Sequence, residues 1–166
     1  MILELEPIFN NIGQELDFQY ELDLSELDVS TIRPIEKSAV IRGKVYNRAG
    51  VVHLNASASF DYVAPCDRCA EPTTRHFDVP LKHVLVTTLN DEENDDFVLL
   101  NGMRYDVDEL IREDIILSLP SAYLCRDDCR GVCQYCGKNL NTDSCSCKAP
   151  VDPRLAVLAQ LLDNNS

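Results

Sequence analysis

The sequence predicts an α+β protein, in which a mostly antiparallel β-sheet with one covering helix is followed by a cysteine-rich tail. Apolar and polar residues alternate in several stretches between Leu16 and Leu85, which is the pattern of half-buried strands. From Asp106 the apolar residues recur at helical spacing instead. The 166 residues suffice for one domain, which at this length buries roughly 70% of its unfolded surface.

Four long strands are predicted, at residues 16–22, 38–46, 51–63 and 77–85. In the first strand Leu16, Phe18, Tyr20 and Leu22 alternate with Asp17, Gln19 and Glu21. The apolar face of the third strand consists of Leu54, Ala56, Ala58, Phe60 and Tyr62. Residues 47–50 between the second and third strands have the length and the glycine of a hairpin loop.

The second half of the chain adds a hairpin and two helices to this sheet. Residues 90–96 are predicted to form an acidic loop, and residues 97–105 a tight hairpin around the pair Asn101-Gly102. The covering helix begins at Asp106 and ends before Pro120. Its apolar positions are Val107, Leu110, Ile111, Ile115 and Leu119. A short terminal helix begins with Asp152 as N-cap and Pro153 at its first position.

The domain organisation predicted from these elements is a core with a tail. Residues 1–120 form the sheet and the covering helix. Residues 121–166 form a tail packed on that core, so that the whole chain is one structural domain. Residues 121–150 contain six of the eight cysteines and few large apolar groups, so a metal rather than packing must order them.

The eight cysteines predict metal binding rather than disulfides. The first six residues lack a basic region, and acidic residues interrupt their apolar ones, which argues against a secretory signal. No stretch approaches the roughly 20 apolar residues that span a bilayer. We therefore expect a cytoplasmic protein without membrane contact, and thiols in the cytosol stay reduced.

The cysteines form four close pairs, which suits two structural zinc ions with four thiolates each. The pairs are Cys66/Cys69, Cys125/Cys129, Cys133/Cys136 and Cys145/Cys147. Three groupings into two sites are open. The spacing favours one site from Cys66, Cys69, Cys125 and Cys129, and a second from Cys133, Cys136, Cys145 and Cys147. In the second site Gly137 eases the tight turn after Cys136.

Enzymatic interpretations of the same residues are weaker. Cys129, Cys133 and Cys136 have the spacing of a radical S-adenosylmethionine cluster loop, but only 30 residues follow and no barrel can form from them. A redox role for Cys66 and Cys69 lacks the surrounding βαβ pattern. His53, His76 and His83 are isolated within predicted strands. With all metal positions filled by sulfur, no position is open for an activated water, so no enzyme is expected.

The chain is strongly acidic, with 28 acidic and 15 basic side chains and a formal net charge of −13. Such a surface repels phosphate backbones at long range and attracts a basic partner. Broad binding to nucleic acid is therefore not expected.

A further set of motifs consists of Leu119-Pro120, residues 125–133, residues 136–141 with Cys145-Ser146-Cys147, and residues 152–155. Upstream stands the C-x-R-C element Cys66-Asp67-Arg68-Cys69. In these motifs the chain resembles the YceD family, the large ribosomal RNA subunit accumulation proteins. The resemblance covers nearly the whole chain and is most specific in the C-terminal third. The resemblance implies a non-enzymatic factor that is required for large-subunit rRNA to accumulate, and hence a role in ribosome biogenesis.

Two hypotheses of molecular action are compatible with that resemblance. In the first, the zinc tail makes a small contact with rRNA or with the pre-ribosomal large subunit. In the second, the protein is an acidic escort of a basic ribosomal protein. Neither hypothesis involves a small-molecule substrate.

Overall fold

The computed structural model describes residues 1–29, 32–88 and 97–147. Its elements, in chain order, are β1 (Ile2–Glu4), α1 (Glu6–Asn10), β2 (Glu15–Leu22), β3 (Ala39–Arg48), β4 (Val51–Pro65), β5 (Pro72–Val86), β6 (Phe97–Leu99), β7 (Arg104–Asp106) and α2 (Val107–Ser118). The predicted α+β class is confirmed, since a mainly antiparallel sheet is combined with helices. The acidic loop predicted at residues 90–96 and the terminal helix predicted from Asp152 lie outside the described residues.

The four predicted strands are β2 to β5, which are consecutive neighbours in a five-stranded sheet of order β2-β3-β4-β5-β6. β2 pairs antiparallel with β3, and β3 pairs antiparallel with β4. The alternation in β2 is seen in its burial, because Phe18 and Leu22 face the core. Gly43 lies opposite Phe18, and a Cβ atom built on it would be 2.4 Å from the phenylalanine ring.

The loop between β3 and β4 is a two-residue hairpin turn. Ala49 and Gly50 both have positive φ, as the turn that matches the twist of paired strands requires. Asn47 is buried beside this turn. Its Oδ1 accepts a hydrogen bond from the Gly50 N–H at 3.0 Å, and its Nδ2 donates to the Ile8 carbonyl at 2.8 Å. One amide side chain therefore fastens α1 to the hairpin.

The hairpin predicted at residues 97–105 is wrong. β6 pairs in parallel with β5, with Phe97 opposite Val84. β7 pairs antiparallel with β1 in a separate two-stranded sheet, with Asp106 opposite Ile2. The tight turn needs positive φ at both central residues, and Asn101 is not among the described non-glycine residues with positive φ. Partners distant in sequence thus prevail over the local turn signal.

The covering helix α2 is confirmed with its predicted boundaries. Asp106 is its N-cap, and the carboxylate accepts a hydrogen bond from the Asp108 N–H at 3.2 Å. Leu119 is extended because the following Pro120 disfavours helical backbone there. Val107, Ile111 and Ile115 are the buried side chains of α2, and they belong to the main hydrophobic core. None of the described helices is long and apolar enough to cross a membrane.

The chain divides into two compact units. The first comprises Met1–Ala64 and Pro72–Tyr123, and the second comprises Pro65–Glu71 and the described residues from Leu124 onward. Within the first unit, the buried Tyr123 hydroxyl donates to the carbonyls of Tyr62 and Thr73 at 3.1 and 3.0 Å. Tyr123, the last residue of the first unit, is therefore hydrogen-bonded to β4 and to β5 within that unit.

Candidate metal centres

Cys66 and Cys69 lie on a tight turn that follows β4. The Cys66 N–H donates to the Glu71 carbonyl at 2.9 Å, and the Ala70 N–H donates to the Cys66 carbonyl at 2.8 Å. The turn places Ala70 at a φ of +58°, a left-handed conformation that is unusual for alanine. This backbone folds the two cysteine side chains towards one side.

Cys125 and Cys129 complete a first group of four with Cys66 and Cys69. The four Sγ atoms lie within 4.8 Å of one another. The Cys66 and Cys129 sulfurs are 3.8 Å apart, and those of Cys69 and Cys125 are 3.6 Å apart. Two segments distant in sequence thus supply two sulfurs each, and we call these four residues the two-segment site.

Two polar side chains, those of Arg68 and Asn141, donate hydrogen bonds to Cys129 of this site. Arg68 donates from Nη1 to the Cys129 carbonyl at 3.0 Å, and Asn141 donates from Nδ2 to the Cys129 sulfur at 3.3 Å. Gly131 passes so close to Arg68 that a Cβ atom there would be 2.8 Å from the Arg68 carbonyl oxygen. Both residues stand in the motifs of the family resemblance, but their contacts with Cys129 were not predicted, because no spacing rule connects them to the cysteines.

Cys133, Cys136, Cys145 and Cys147 form a second group, whose Sγ atoms also lie within 4.8 Å of one another. The Cys133 N–H donates to the Lys138 carbonyl at 2.8 Å, and the Gly137 N–H donates to the Cys133 carbonyl at 2.9 Å. This turn repeats the hydrogen bonds of the Cys66 turn, with Gly137 in the place of Ala70. All four ligands come from one stretch of chain, so we call this group the local site.

The thiols within each site have unequal pKa values. Burial acts against ionisation of Cys66, yet the backbone N–H groups of Cys125, Cys69 and Arg68 lower its pKa to about 6. In the local site, the N–H groups of Cys136 and Tyr135 lower the pKa of Cys133 to about 6. These turns therefore favour a thiolate at the first cysteine of each CxxC motif.

Cys125 in the two-segment site and Cys147 in the local site resist ionisation. Burial and then the neighbouring Cys129 sulfur raise the pKa of Cys125 to about 12, and the neighbouring Cys136 sulfur raises the pKa of Cys147 to about 12. Several negative charges this close together repel one another unless a cation lies between them. Each group of four cysteines is thus arranged to hold a metal ion.

The structure brings all eight predicted cysteines into these two groups and leaves none over. The grouping is the one favoured by the spacing. In the described part of the chain, no other set of three or more histidine, cysteine and acidic side chains comes as close together. The donor set of four thiolates is the one that zinc takes in closed tetrahedral sites.

The three histidines have structural partners on the first unit. His53 stacks on Tyr46 with 5.1 Å between ring centroids, and His83 Nε2 lies 2.5 Å from the Asp114 carboxylate. His76 lies between Asp61, at 2.8 Å from Nδ1, and the Ser59 hydroxyl, at 3.0 Å from Nε2.

The Ser59, His76 and Asp61 side chains have the order of a catalytic triad but not its environment. The His76 side chain is 57% exposed and that of Asp61 is 49% exposed. Charge that developed there would be solvated by water rather than by preorganised dipoles, which supply most of the rate enhancement in such sites. We therefore assign these three side chains a structural role, as hydrogen-bonded neighbours on β4 and β5.

His76 provides a prediction about pH. The hydrogen bond that the His76 ring donates to the Asp61 carboxylate raises the pKa of His76 above its ordinary value of 6.5. The pair should therefore stabilise the fold fully below pH 6.5, and this contribution should disappear as the pH rises through the folded-state pKa. An NMR titration of the His76 ring measures the shift, and Asp61→Asn should lower the pKa. An unchanged pKa in that variant would contradict the assignment.

Comparison with known proteins adds relatives of similar sequence. The chain is 26% identical over 157 residues to the uncharacterized protein YlbN of Bacillus subtilis (strain 168). This alignment covers 90% of this chain and 89% of YlbN. The chain is also 30% identical over 108 residues to the uncharacterized protein Rv2926c of Mycobacterium tuberculosis. This alignment covers 63% of this chain. The match covers 52% of that protein, so the chain spans about half of its length.

No solved structure is significantly similar to the chain. The model of the family described as large ribosomal RNA subunit accumulation protein YceD matches residues 54–162. That range contains all eight cysteines of the two sites, together with most of β4, all of β5 and the covering helix. The chain therefore belongs to the YceD family, whose name implies a role in the accumulation of large-subunit ribosomal RNA.

Proposed function

We propose that this protein is a zinc-stabilised, non-enzymatic ribosome biogenesis factor that acts in the cytoplasm and is required for large-subunit rRNA to accumulate. The observation that carries the proposal is the family match over residues 54–162. The match includes both groups of cysteines, so the metal sites belong to the part of the chain that defines the family.

The metal in this proposal is zinc, with one structural ion in each site. Cys66, Cys69, Cys125 and Cys129 bind the first ion, and Cys133, Cys136, Cys145 and Cys147 bind the second. Four thiolates satisfy the tetrahedral preference of zinc and leave no open position for water. The ions therefore order the chain and take no part in a reaction.

We further propose that residues 1–120 fold as a core without metal and that residues 121–166 are a tail that depends on metal for its order. The supporting observation is that the large buried apolar side chains of the main cluster come from β1 to α2 and from Tyr123. The second cluster consists of Cys66, Cys69 and Cys129, with Leu124 and Cys125 packed against them. Such a cluster has little apolar area to hold it together without a metal ion.

The charge of the protein restricts how it can meet RNA. Each site with four thiolates on one divalent ion carries −2, so two occupied sites take the formal charge from −13 to about −17. Broad phosphate binding is incompatible with that charge at physiological salt, where phosphate contacts need clustered cations. A contact with rRNA must therefore be small and rely on a few exposed cations.

The local site offers two such cations on a surface that consists of Arg130, Val132, Tyr135 and Lys138, which we call the knuckle surface, and their charge offsets the −2 of the occupied site. All four side chains are exposed, with Tyr135 at 53%. Among the described residues, neither Arg130 nor Lys138 forms an ion pair with a carboxylate. Two free cations can contact phosphates, and an exposed tyrosine can stack on an unpaired base.

A depletion and rescue experiment tests the function. Depleting the protein should lower large-subunit rRNA relative to small-subunit rRNA, and the unaltered chain should restore the ratio. The double variant Arg130→Ala with Lys138→Ala should bind zinc normally but fail to restore it, because the cations that meet phosphate are gone. The readouts are the rRNA ratio, the zinc content and sedimentation with immature large subunits.

The matched control removes the same charge from the first unit. Lys44→Ala with Arg104→Ala deletes two cations that are already paired, Lys44 with Glu15 at 3.0 Å and Arg104 with Glu4 at 2.7 Å. This variant should rescue. An rRNA ratio that depletion leaves unchanged would refute the proposed function, and full rescue by the Arg130 and Lys138 variant would refute the contact through the knuckle surface.

The second candidate is the escort of a basic ribosomal protein, which the net charge of −13 favours. Its signature is a basic ribosomal protein that co-purifies with the chain and dissociates when salt is added. Persistence of that complex in the Arg130 and Lys138 variant would favour the escort over the RNA contact.

A further inference from the structure

The two metal sites differ sharply in how exposed their cysteine residues are. In the two-segment site Cys66, Cys69 and Cys129 are only 3%, 6% and 3% exposed. In the local site Cys133 is the only buried ligand, at 7%, whereas Cys136 and Cys147 are exposed. Two sites of the same composition thus differ in how many of their ligand residues are exposed.

The surroundings of the sulfurs reinforce this difference. In the two-segment site Leu124 packs against the cysteines, and Asn141 donates a hydrogen bond to the Cys129 sulfur. In the local site Cys136 lies on an exposed turn between Tyr135 and Lys138. Oxidation of cysteine requires that the oxidant reach the sulfur, and it follows thiolate character and exposure.

We propose that Cys136 and Cys147 are an oxidative modification site that takes peroxides and releases the metal of the local site alone. The inference rests on the proposed function in one respect, that both sites hold zinc. Cys136 and Cys147 are the two exposed ligands of the site, and their Sγ atoms lie within 4.8 Å of each other.

The reaction balances with the peroxide as the only oxidant. The Cys136 thiolate attacks one peroxide oxygen, the O–O bond breaks, and a sulfenic acid forms while hydroxide leaves. The Cys147 thiolate then attacks that sulfur, the S–S bond forms, and a second hydroxide leaves. Two sulfurs lose two electrons in total, and the peroxide with two protons from solvent becomes two waters.

Loss of these two thiolates leaves only Cys133 and Cys145 for the zinc ion. Two ligands do not make a closed structural site, so the ion dissociates and the turn that carries Tyr135 and Lys138 loses its anchor. The knuckle surface would thereby be disabled by oxidant while the two-segment site keeps its metal. A reductant would restore the thiols and allow zinc to bind again.

The test treats the full zinc-loaded chain with hydrogen peroxide and follows zinc release with a colorimetric indicator. One of two zinc ions should leave at least about tenfold faster than the other, since its ligands are exposed. Peptide mapping at that point should find a disulfide between Cys136 and Cys147, while Cys66, Cys69, Cys125 and Cys129 remain reduced. The variant Cys147→His keeps a zinc ligand but removes the exposed partner thiol, so a disulfide at Cys136 should form more slowly than in the unaltered chain. The variant Ser146→Ala, which changes an exposed neighbour, should behave as the unaltered chain.

The outcomes separate the inference from the proposal on which it rests. Fewer than two zinc ions before treatment would overturn the proposed metal occupancy and this inference with it. Two zinc ions that leave together, or a first disulfide among the cysteines of the two-segment site, would overturn the inference alone.

Discussion

Removing zinc with a chelator is expected to unfold the second compact unit while the five-stranded sheet keeps its protection from amide exchange. As purified without chelator, the protein should contain two zinc ions per chain. Structural zinc supplies about 10–16 kcal/mol of apparent binding free energy in small domains, and the second unit has few apolar contacts to replace it. Hydrogen exchange resolved by residue is the measurement.

Particular amides report on each unit. In the second unit these are Val132, which donates to the Arg68 carbonyl, and Leu140, which donates to the Gly131 carbonyl. Their protection should vanish with the metal, and Cys129→Ser should have a similar effect, because Cys129 belongs to the two-segment site. Ser146→Ala is the control and should leave exchange unchanged. Equal loss of protection at Val45 and Leu54 of the sheet would contradict a core that folds without metal.

Ile111→Ala is expected to destabilise the first unit by about 2–5 kcal/mol, because the side chain is 1% exposed and its removal leaves a cavity under α2. Leu117→Ala is the matched control on the same helix. Leu117 is 83% exposed, so this variant should change the free energy of unfolding by no more than about 0.5 kcal/mol. Urea denaturation of both variants measures the difference. Equal effects would mean that α2 does not cover the core.

The elements that could be predicted from the sequence are those with enough residues to show a period. The predicted strand at residues 16–22 is β2, Glu15–Leu22, and the helix predicted from Asp106 is α2. β1 and α1 were not predicted, because they are too short to show such a period. Three residues cannot display an alternation, and α1 begins after Leu5, whose side chain offers no cap.

The predicted hairpin failed because its two halves pair with distant strands. Asn101-Gly102 fits a tight turn locally, but Phe97 lies beside Val84 and Tyr105 lies beside Leu3. Such pairings depend on the whole sheet and cannot be recognised from a short stretch of sequence.

The two groups of four cysteines could be predicted more completely than the fold, because a shared ion requires its ligands to come in closely spaced pairs. What spacing could not predict is the support around the sulfurs. The left-handed Ala70 is one example, since it occupies the position that Gly137 holds in the other turn. The equivalence of the two turns appears only in their hydrogen bonds.

The two-segment site has a consequence for the time course of synthesis. Its sulfurs at Cys69 and Cys125 are separated by 56 positions. At about 5–20 residues per second, the second pair is translated about 3–11 s after the first. For that interval Cys66 and Cys69 are an incomplete ligand set on a nascent chain, open to any thiophilic ion or oxidant nearby. Slower translation between these segments lengthens the exposure, so the fraction of correctly metallated protein should depend on elongation rate.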